Sequence, residues 1–198
     1  GYIFNGNSDT EVLINLSLSE GKEMLTKLKG IFAFAILDIV EETLFVARDA
    51  LGVKPLYFST EGGAFYFASE MKALFEFEVI NKDLHIESLN RYLTFLWCPG
   101  EGTPIKSIKK LLPGQALIVS KGKVTKKWTW YQLPIFRGKP AKLNIDKSIT
   151  GVTNFLRKAV HNQMISDVPL GAFLSGGLDS SSIVAFAKEL NPDIKCFT

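Results

Sequence analysis

Apolar residues set the first periodicity in the chain. Val12, Leu13, Leu16, Leu25 and Leu28 recur at roughly helical intervals, which predicts a helix over residues 8–29, broken at Gly21. Ser8 stands where a cap belongs, and Glu11 lies three residues on, the spacing of a capping box. "IFAFAILD", from Ile31, is then apolar on both alternating sets, the pattern of a strand covered on both faces. "TLFVARD" and "AFYFAS" read as two further strands, the second preceded by the turn signal Glu61-Gly62-Gly63. Strands buried on both sides and bracketed by helices predict a sandwich of packed sheets with helices outside.

"ASEMKALF" reads as a short helix capped by Ser69, and a second helical segment runs from about Glu87 to Phe95. "ALIVS-KG-KVTKKWTWY" predicts a hairpin turning at Lys121-Gly122. Residues 132–148 lose periodicity and hold two prolines and a glycine, which places a linker at 135–145 between units at 1–134 and 146–198. Ile149, Val152, Phe155, Leu156, Val160 and Met164 then form a helical stripe. "VPLGAFL" reads as a short buried strand, Ser180 to Leu190 as a helix and "IKCFT" as the next strand. That β–loop–α–β order opens a doubly wound parallel sheet. About fifty residues are too few to bury an independent α/β core, so the chain is expected to be a fragment of a longer protein.

Composition narrows the class. With 46% hydrophobic and 22% charged residues the chain is globular. Its longest apolar run, Ile31 to Leu37, is strand-sized, so no membrane partner is expected. Cys98 and Cys196 lack metal-ligand spacing and there are two histidines, which argues against zinc and for a reducing compartment. The net charge of +3 conceals an asymmetry: residues 1–104 carry 8 Lys and Arg against 15 Asp and Glu, and residues 105–198 carry 15 against 5. A basic second half suits an anionic ligand, nucleotide or nucleic acid.

The candidate chemistry lies in "FLSGGLDSSS", Phe173 to Ser182. Gly176 and Gly177 would leave a strand and enter a helix, where missing Cβ atoms let backbone N–H groups approach an anion. Ser180 and Ser181 fall in the first helical turn, at the positive end of the helix dipole, and Ser175 adds a hydroxyl. With no loop lysine this is not a Walker-type loop. A plain serine-capped turn is the simpler alternative, but the hydroxyls and Asp179 exceed what a cap requires. "SGGLDSS" resembles the pyrophosphate loop of the ATP-pyrophosphatase superfamily.

A longer resemblance runs through "GIFAFAILD", "ARDALGVKPLYF", "FASEMKAL", "KLLPGQAL" and "DVPLGAFLSGGLDSSS", in that order. Together they resemble the glutamine-dependent asparagine synthetases, class II amidotransferases. The resemblance implies a partial N-terminal-nucleophile αββα sandwich over 1–134, followed at 146–198 by the start of an ATP-pyrophosphatase domain. It implies a cytoplasmic ligase that takes glutamine, aspartate, ATP and Mg²⁺, and it allows a homodimer. Leu174, Ser175, Gly176, Gly177, Leu178, Asp179, Ser180 and Ser181 would bind ATP, with Asp179 also at the metal. Asp9 in "SDTE" would pair with the α-ammonium of glutamine; its simpler reading is a favourable charge at a helix start. No catalytic residue is expected in this chain, because the family nucleophile is an N-terminal cysteine whose own amine is the base and residue 1 is glycine. Asn5-Gly6, followed by Asn7, is not the family's Asn-Gly-Glu motif.

Other conspicuous residues read as structural. Arg48, Asp49 and Lys54 suit a charge-paired loop turned by Gly52 and Pro55. Lys106, Lys109, Lys110, Lys121, Lys123, Lys126 and Lys127 suit a solvated hairpin beside core Trp128 and Trp130, so no nucleic-acid partner is expected. His85 and His161 are isolated. Two alternatives stay open: a sister amidotransferase acting on a cell-surface sugar acid or β-lactam precursor, and a non-catalytic nucleotide- or nucleic-acid-binding module.

Overall fold

The computed structural model describes residues 2–135, 138 and 144–198. The chain divides into two compact units, Gly1–Ile135 and Phe136–Thr198.

In the first unit, helix α1 (Asp9–Glu20) is followed by strands β1 (Ala33–Asp38), β2 (Thr43–Arg48), β3 (Tyr57–Ser59) and β4 (Tyr66–Ala68). Helices α2 (Met71–Leu74) and α3 (Ile86–Phe95) and strands β5 (Lys109–Lys110), β6 (Gln115–Ser120) and β7 (Lys123–Thr129) complete it. The strands form two antiparallel sheets, ordered β1-β2-β6-β7 and β4-β3-β5. Alternation along β2 explains how they stack. Phe45 and Ala47 face one cluster with Met24, Leu25, Ala116 and Ile118, onto which Leu13 and Leu16 of α1 pack. Val46 faces the other way, into a cluster with Leu56, Phe58, Leu111 and Leu117 that joins the sheets. The far side of the second sheet, through Tyr57, Tyr66 and Ala68, meets Leu74 of α2 with Ile80, Ile105 and Ile108. The layers therefore run helix, sheet, sheet, helix.

The hairpin between β6 and β7 turns at Lys121 and Gly122, both with positive φ (49° and 74°), the primed turn that matches strand twist. A register shift between Ile118 and Val119 re-aims the end of that pair.

The structure corrects several expectations. The break expected at Gly21 is present, with a positive φ of 56°, but the piece beyond it, Gly21–Thr26, is a 3₁₀ segment rather than a continuation of the α-helix. Ser8 does cap α1, accepting from the Thr10 N–H, but Glu11 bonds the N–H groups of Asn5 and Gly6, so no reciprocal capping box forms. β1 packs on both faces as expected, Phe34 and Ile36 against one cluster and Ala33 and Ala35 against the other, but among the described residues it is an edge strand with one neighbour, and its last two residues are exposed. Glu70 rather than Ser69 occupies the cap position of α2, and its side chain makes no capping bond. The two-residue β5 and three-residue β3 were too short to carry a periodicity.

In the second unit, helix α4 (Ile145–Asn162) is capped by Asn144, whose side chain accepts from the Lys147 N–H. α4 thus begins within the linker expected at 135–145, most of which lies outside the described residues. Strand β8 (Gly171–Phe173), helix α5 (Leu178–Leu190) and strand β9 (Lys195–Phe197) follow. β8 and β9 pair in parallel, Ala172 opposite Cys196, so the βαβ unit forms as the pattern predicted. Val160, Ala187 and Ile194 make its small core. Most of the stripe on α4 stays exposed, including Ile149, Val152 and Phe155.

Candidate functional sites

The first site is a groove of ≈ 1310 Å³ along the free edge of β1. One wall is α1, with Asp9, Leu13 and Ile14; the other includes Phe32, Phe34, Lys54, Pro55 and Ser69. Asp9 is the first residue of α1 and is exposed, its carboxylate 3.5 Å from Thr10 Oγ1. The helix start favours its negative charge, and the carboxylate is free to take a cationic ligand group.

Lys54 reaches that groove through a loop built around two charges. The Asp49 carboxylate, 2% exposed, accepts from the N–H groups of Leu51, Val53 and Lys54 at 3.1, 3.0 and 3.0 Å. The Arg48 guanidinium donates to the carbonyls of Lys54, Leu111 and Gly52 at 2.6, 2.5 and 2.6 Å. The expected pairing of the two charges is thereby corrected: each is satisfied by backbone rather than by the other. Burial draws Arg48 below its ordinary pKa, against the opposing attraction of Asp49. Gly52 is required twice over. Its φ is +67°, and a Cβ there would meet Pro113 Cγ at 2.6 Å and Arg48 Cζ at 3.1 Å.

The second site is the loop from β8 into α5. Leu174 donates its N–H to the Phe197 carbonyl at 2.8 Å, which carries the sheet pairing up to Ser175. Gly176 then turns the chain with φ +76°. Gly177 sits at the N-cap of α5 without a side-chain cap. The first intrahelical bond runs from the Ser181 N–H to the Gly177 carbonyl, which leaves the N–H groups of Leu178, Asp179 and Ser180 without helical partners. Ser175 Oγ and Ser180 Oγ lie 3.0 Å apart, and Ser180 Oγ also donates to the Gly177 carbonyl. Ser182 bonds inward, to the Leu178 carbonyl. Ser175, Gly176, Gly177, Asp179, Ser180 and Ser181 are thus brought around one helix start, while Leu178 projects outward, 83% exposed. Asp179 is the acid of the first turn of α5, and among the described residues no group of three or more His, Cys, Asp or Glu side chains is arranged to hold a metal ion.

The remaining candidates fall elsewhere. Lys121, Lys123 and Lys126 are exposed on the hairpin, Lys127 pairs with Glu101, and Trp128 and Trp130 join the core. His85 Nδ1 lies 2.6 Å from Ser88 Oγ, and His161 Nε2 faces the Phe186 carbonyl and Glu189. Neither histidine lines the groove or the loop. No described helix is long and apolar enough to cross a membrane.

A layered sandwich with an acid at a helix start is thus joined in one chain to a strand–turn–helix whose first N–H groups lack helical partners. The chain belongs to the glutamine amidotransferase domain family, which matches residues 1–131, and residues 151–198 match the asparagine synthase family. It is 41% identical over its whole length to asparagine synthetase [glutamine-hydrolyzing] 1 of Bacillus subtilis (strain 168), of which it covers 31%. It is 35% identical, over 96% of its length, to the putative asparagine synthetase [glutamine-hydrolyzing] 2 of Methanocaldococcus jannaschii, of which it covers 37%. Among solved structures, glutamine phosphoribosylpyrophosphate amidotransferase from B. subtilis aligns with all of the chain and 40% of its own, at 21% identity and a TM-score of 0.46. The chain spans about a third of the length of these curated relatives.

Proposed function

We propose that this chain is part of a cytoplasmic enzyme that hydrolyses glutamine and uses the ammonia to convert aspartate to asparagine at the expense of ATP. One observation carries the reading: a single chain joins the groove holding Asp9, within the amidotransferase match, to the Ser175–Ser181 turn, within the asparagine synthase match. Asp9 binds the α-ammonium of glutamine by a charge-assisted contact. The unpaired N–H groups of Leu178, Asp179 and Ser180, with the hydroxyls of Ser175, Ser180 and Ser181, receive the pyrophosphate portion of ATP. Gly176 and Gly177 keep side-chain bulk away from it, and Leu174 lines the nucleotide site. The aspartate carboxylate attacks the α-phosphorus, pyrophosphate leaves, and ammonia then displaces AMP from the β-aspartyl adenylate. Asp179 would hold Mg²⁺, an ion that takes one or two carboxylates together with substrate phosphates and would supply positive charge beside the phosphate oxygens.

The test uses the full-length protein and aspartate-dependent ATP–pyrophosphate exchange. Gly177→Val should abolish exchange while leaving glutamine hydrolysis largely intact. Asp179→Asn should lose exchange with partial recovery at high Mg²⁺, since it removes a charge without adding bulk. Normal exchange in a folded Gly177→Val enzyme would reduce the loop to a structural turn, and exchange dependent on a different carboxylate would replace aspartate as the acceptor.

A further inference from the structure

The Arg48–Asp49 loop does more than reverse the chain. The turn at Lys121-Gly122 makes a reversal in the same unit with no buried charge, using backbone conformation alone. Between β2 and β3 the chain instead buries a carboxylate, the one charged side chain among the buried described residues, and half-buries a guanidinium. Such burial opposes folding unless every polar atom is matched, and here six hydrogen bonds match them.

Those bonds converge on the groove wall. Asp49 Oδ2 holds the Lys54 N–H and Arg48 Nε holds the Lys54 carbonyl, so one peptide segment is gripped from both sides. The Asp49 N–H donates to the Phe32 carbonyl at 2.8 Å, which ties down a second stretch of the same wall. Phe32, Lys54 and Asp9 all line the one groove. We propose that Arg48 and Asp49 are positioning residues of the glutamine site, fixing the Phe32 and Lys54–Pro55 wall at a set distance from Asp9. The inference rests on the proposed use of that groove for glutamine. Locked backbone beside a ligand is the arrangement that binding in a defined pose requires.

The experiment uses the full-length protein, with glutamine as the probe, measuring glutamate release and ammonia-dependent synthesis. Asp49→Asn can keep its Oδ1 contacts but sets an amide N–H₂ against the Lys54 N–H, releasing that residue. Arg48→Lys keeps the charge, but one nitrogen replaces three that meet separate carbonyls across a planar fork, so the three contacts cannot be kept together. Each should raise KM for glutamine at least about tenfold, with smaller loss of kcat and unchanged ammonia-dependent synthesis. Lys54→Met, which leaves the clamp intact, should change KM far less than Arg48→Lys. A lowered unfolding temperature with unchanged KM would make the clamp purely structural and overturn the proposal. So would a Lys54→Met effect larger than that of Arg48→Lys, which would transfer the role to the ammonium. If Asp49→Asn does not fold, the comparison of Arg48→Lys with Lys54→Met decides. A wild-type enzyme that releases no glutamate from glutamine would defeat the underlying assignment of the groove instead.

Discussion

Asp9→Asn separates the two roles open to that carboxylate, because they differ in size and in where they act. The side chain is exposed, and Thr10 Oγ1, 3.5 Å away, is too distant for a strong hydrogen bond to it. As a helix-start charge alone, its neutralisation should cost about 0.3–1 kcal/mol of stability. As the partner of a substrate ammonium, it supplies a charge-assisted bond whose loss costs about 2–3 kcal/mol at the site. That loss corresponds to roughly a 30- to 160-fold fall in kcat/KM for glutamine. The full-length protein with its native nucleophile is assayed with glutamine and with ammonia as nitrogen source. Unfolding of the first unit is followed separately by tryptophan fluorescence, to which Trp97, Trp128 and Trp130 contribute from that unit. The expected result is a fall with glutamine alone, and an unfolding free energy within about 1 kcal/mol of wild type. Equal loss with both nitrogen sources, or no loss beyond twofold with glutamine, would leave Asp9 as a helix-start residue.

Two further predictions concern the frame that holds the groove. Leu117, fully buried between the sheets, should cost about 2–5 kcal/mol on truncation to Ala, measured by denaturant unfolding of the first unit. Gly114→Ala and Gly63→Ala share a positive φ (65° and 76°) but differ in space: a Cβ at 114 would lie 2.4 Å from the Tyr131 carbonyl oxygen, and one at 63 meets nothing within 4 Å. Gly63→Ala should therefore cost only about 1–2 kcal/mol of backbone strain, and Gly114→Ala clearly more; equal losses in urea titrations would refute the steric argument.

What the sequence made legible, and what it hid, follows from the range of each physical signal. Helix periods and the Lys121-Gly122 turn are local, so α3, α5 and the β6–β7 hairpin fall close to where the pattern placed them. The Ser175–Ser181 turn was equally legible, because its glycines, hydroxyls and acid are consecutive and one strand-to-helix step brings them together. For β1 the two faces were legible and the edge was not. Its apolar residues on both alternating sets record what two faces touch, and Phe34 and Ala35 do face the two separate clusters. Alternation carries no information about the strand's edge, and the edge is where the groove lies. The role of "RDALGVKP" was hidden in the same way. A charged pair beside a glycine looks like a loop that satisfies itself, and only the register of β1 with β2, Ala33 opposite Arg48, sets Asp49 beside Phe32. That pairing brings the loop at 48–54 to the same groove as Asp9, some forty residues earlier in the chain. The site is therefore a product of strand register, and a shift of one residue between β1 and β2 would invert the faces of β1 and move Phe32 out of reach of Asp49.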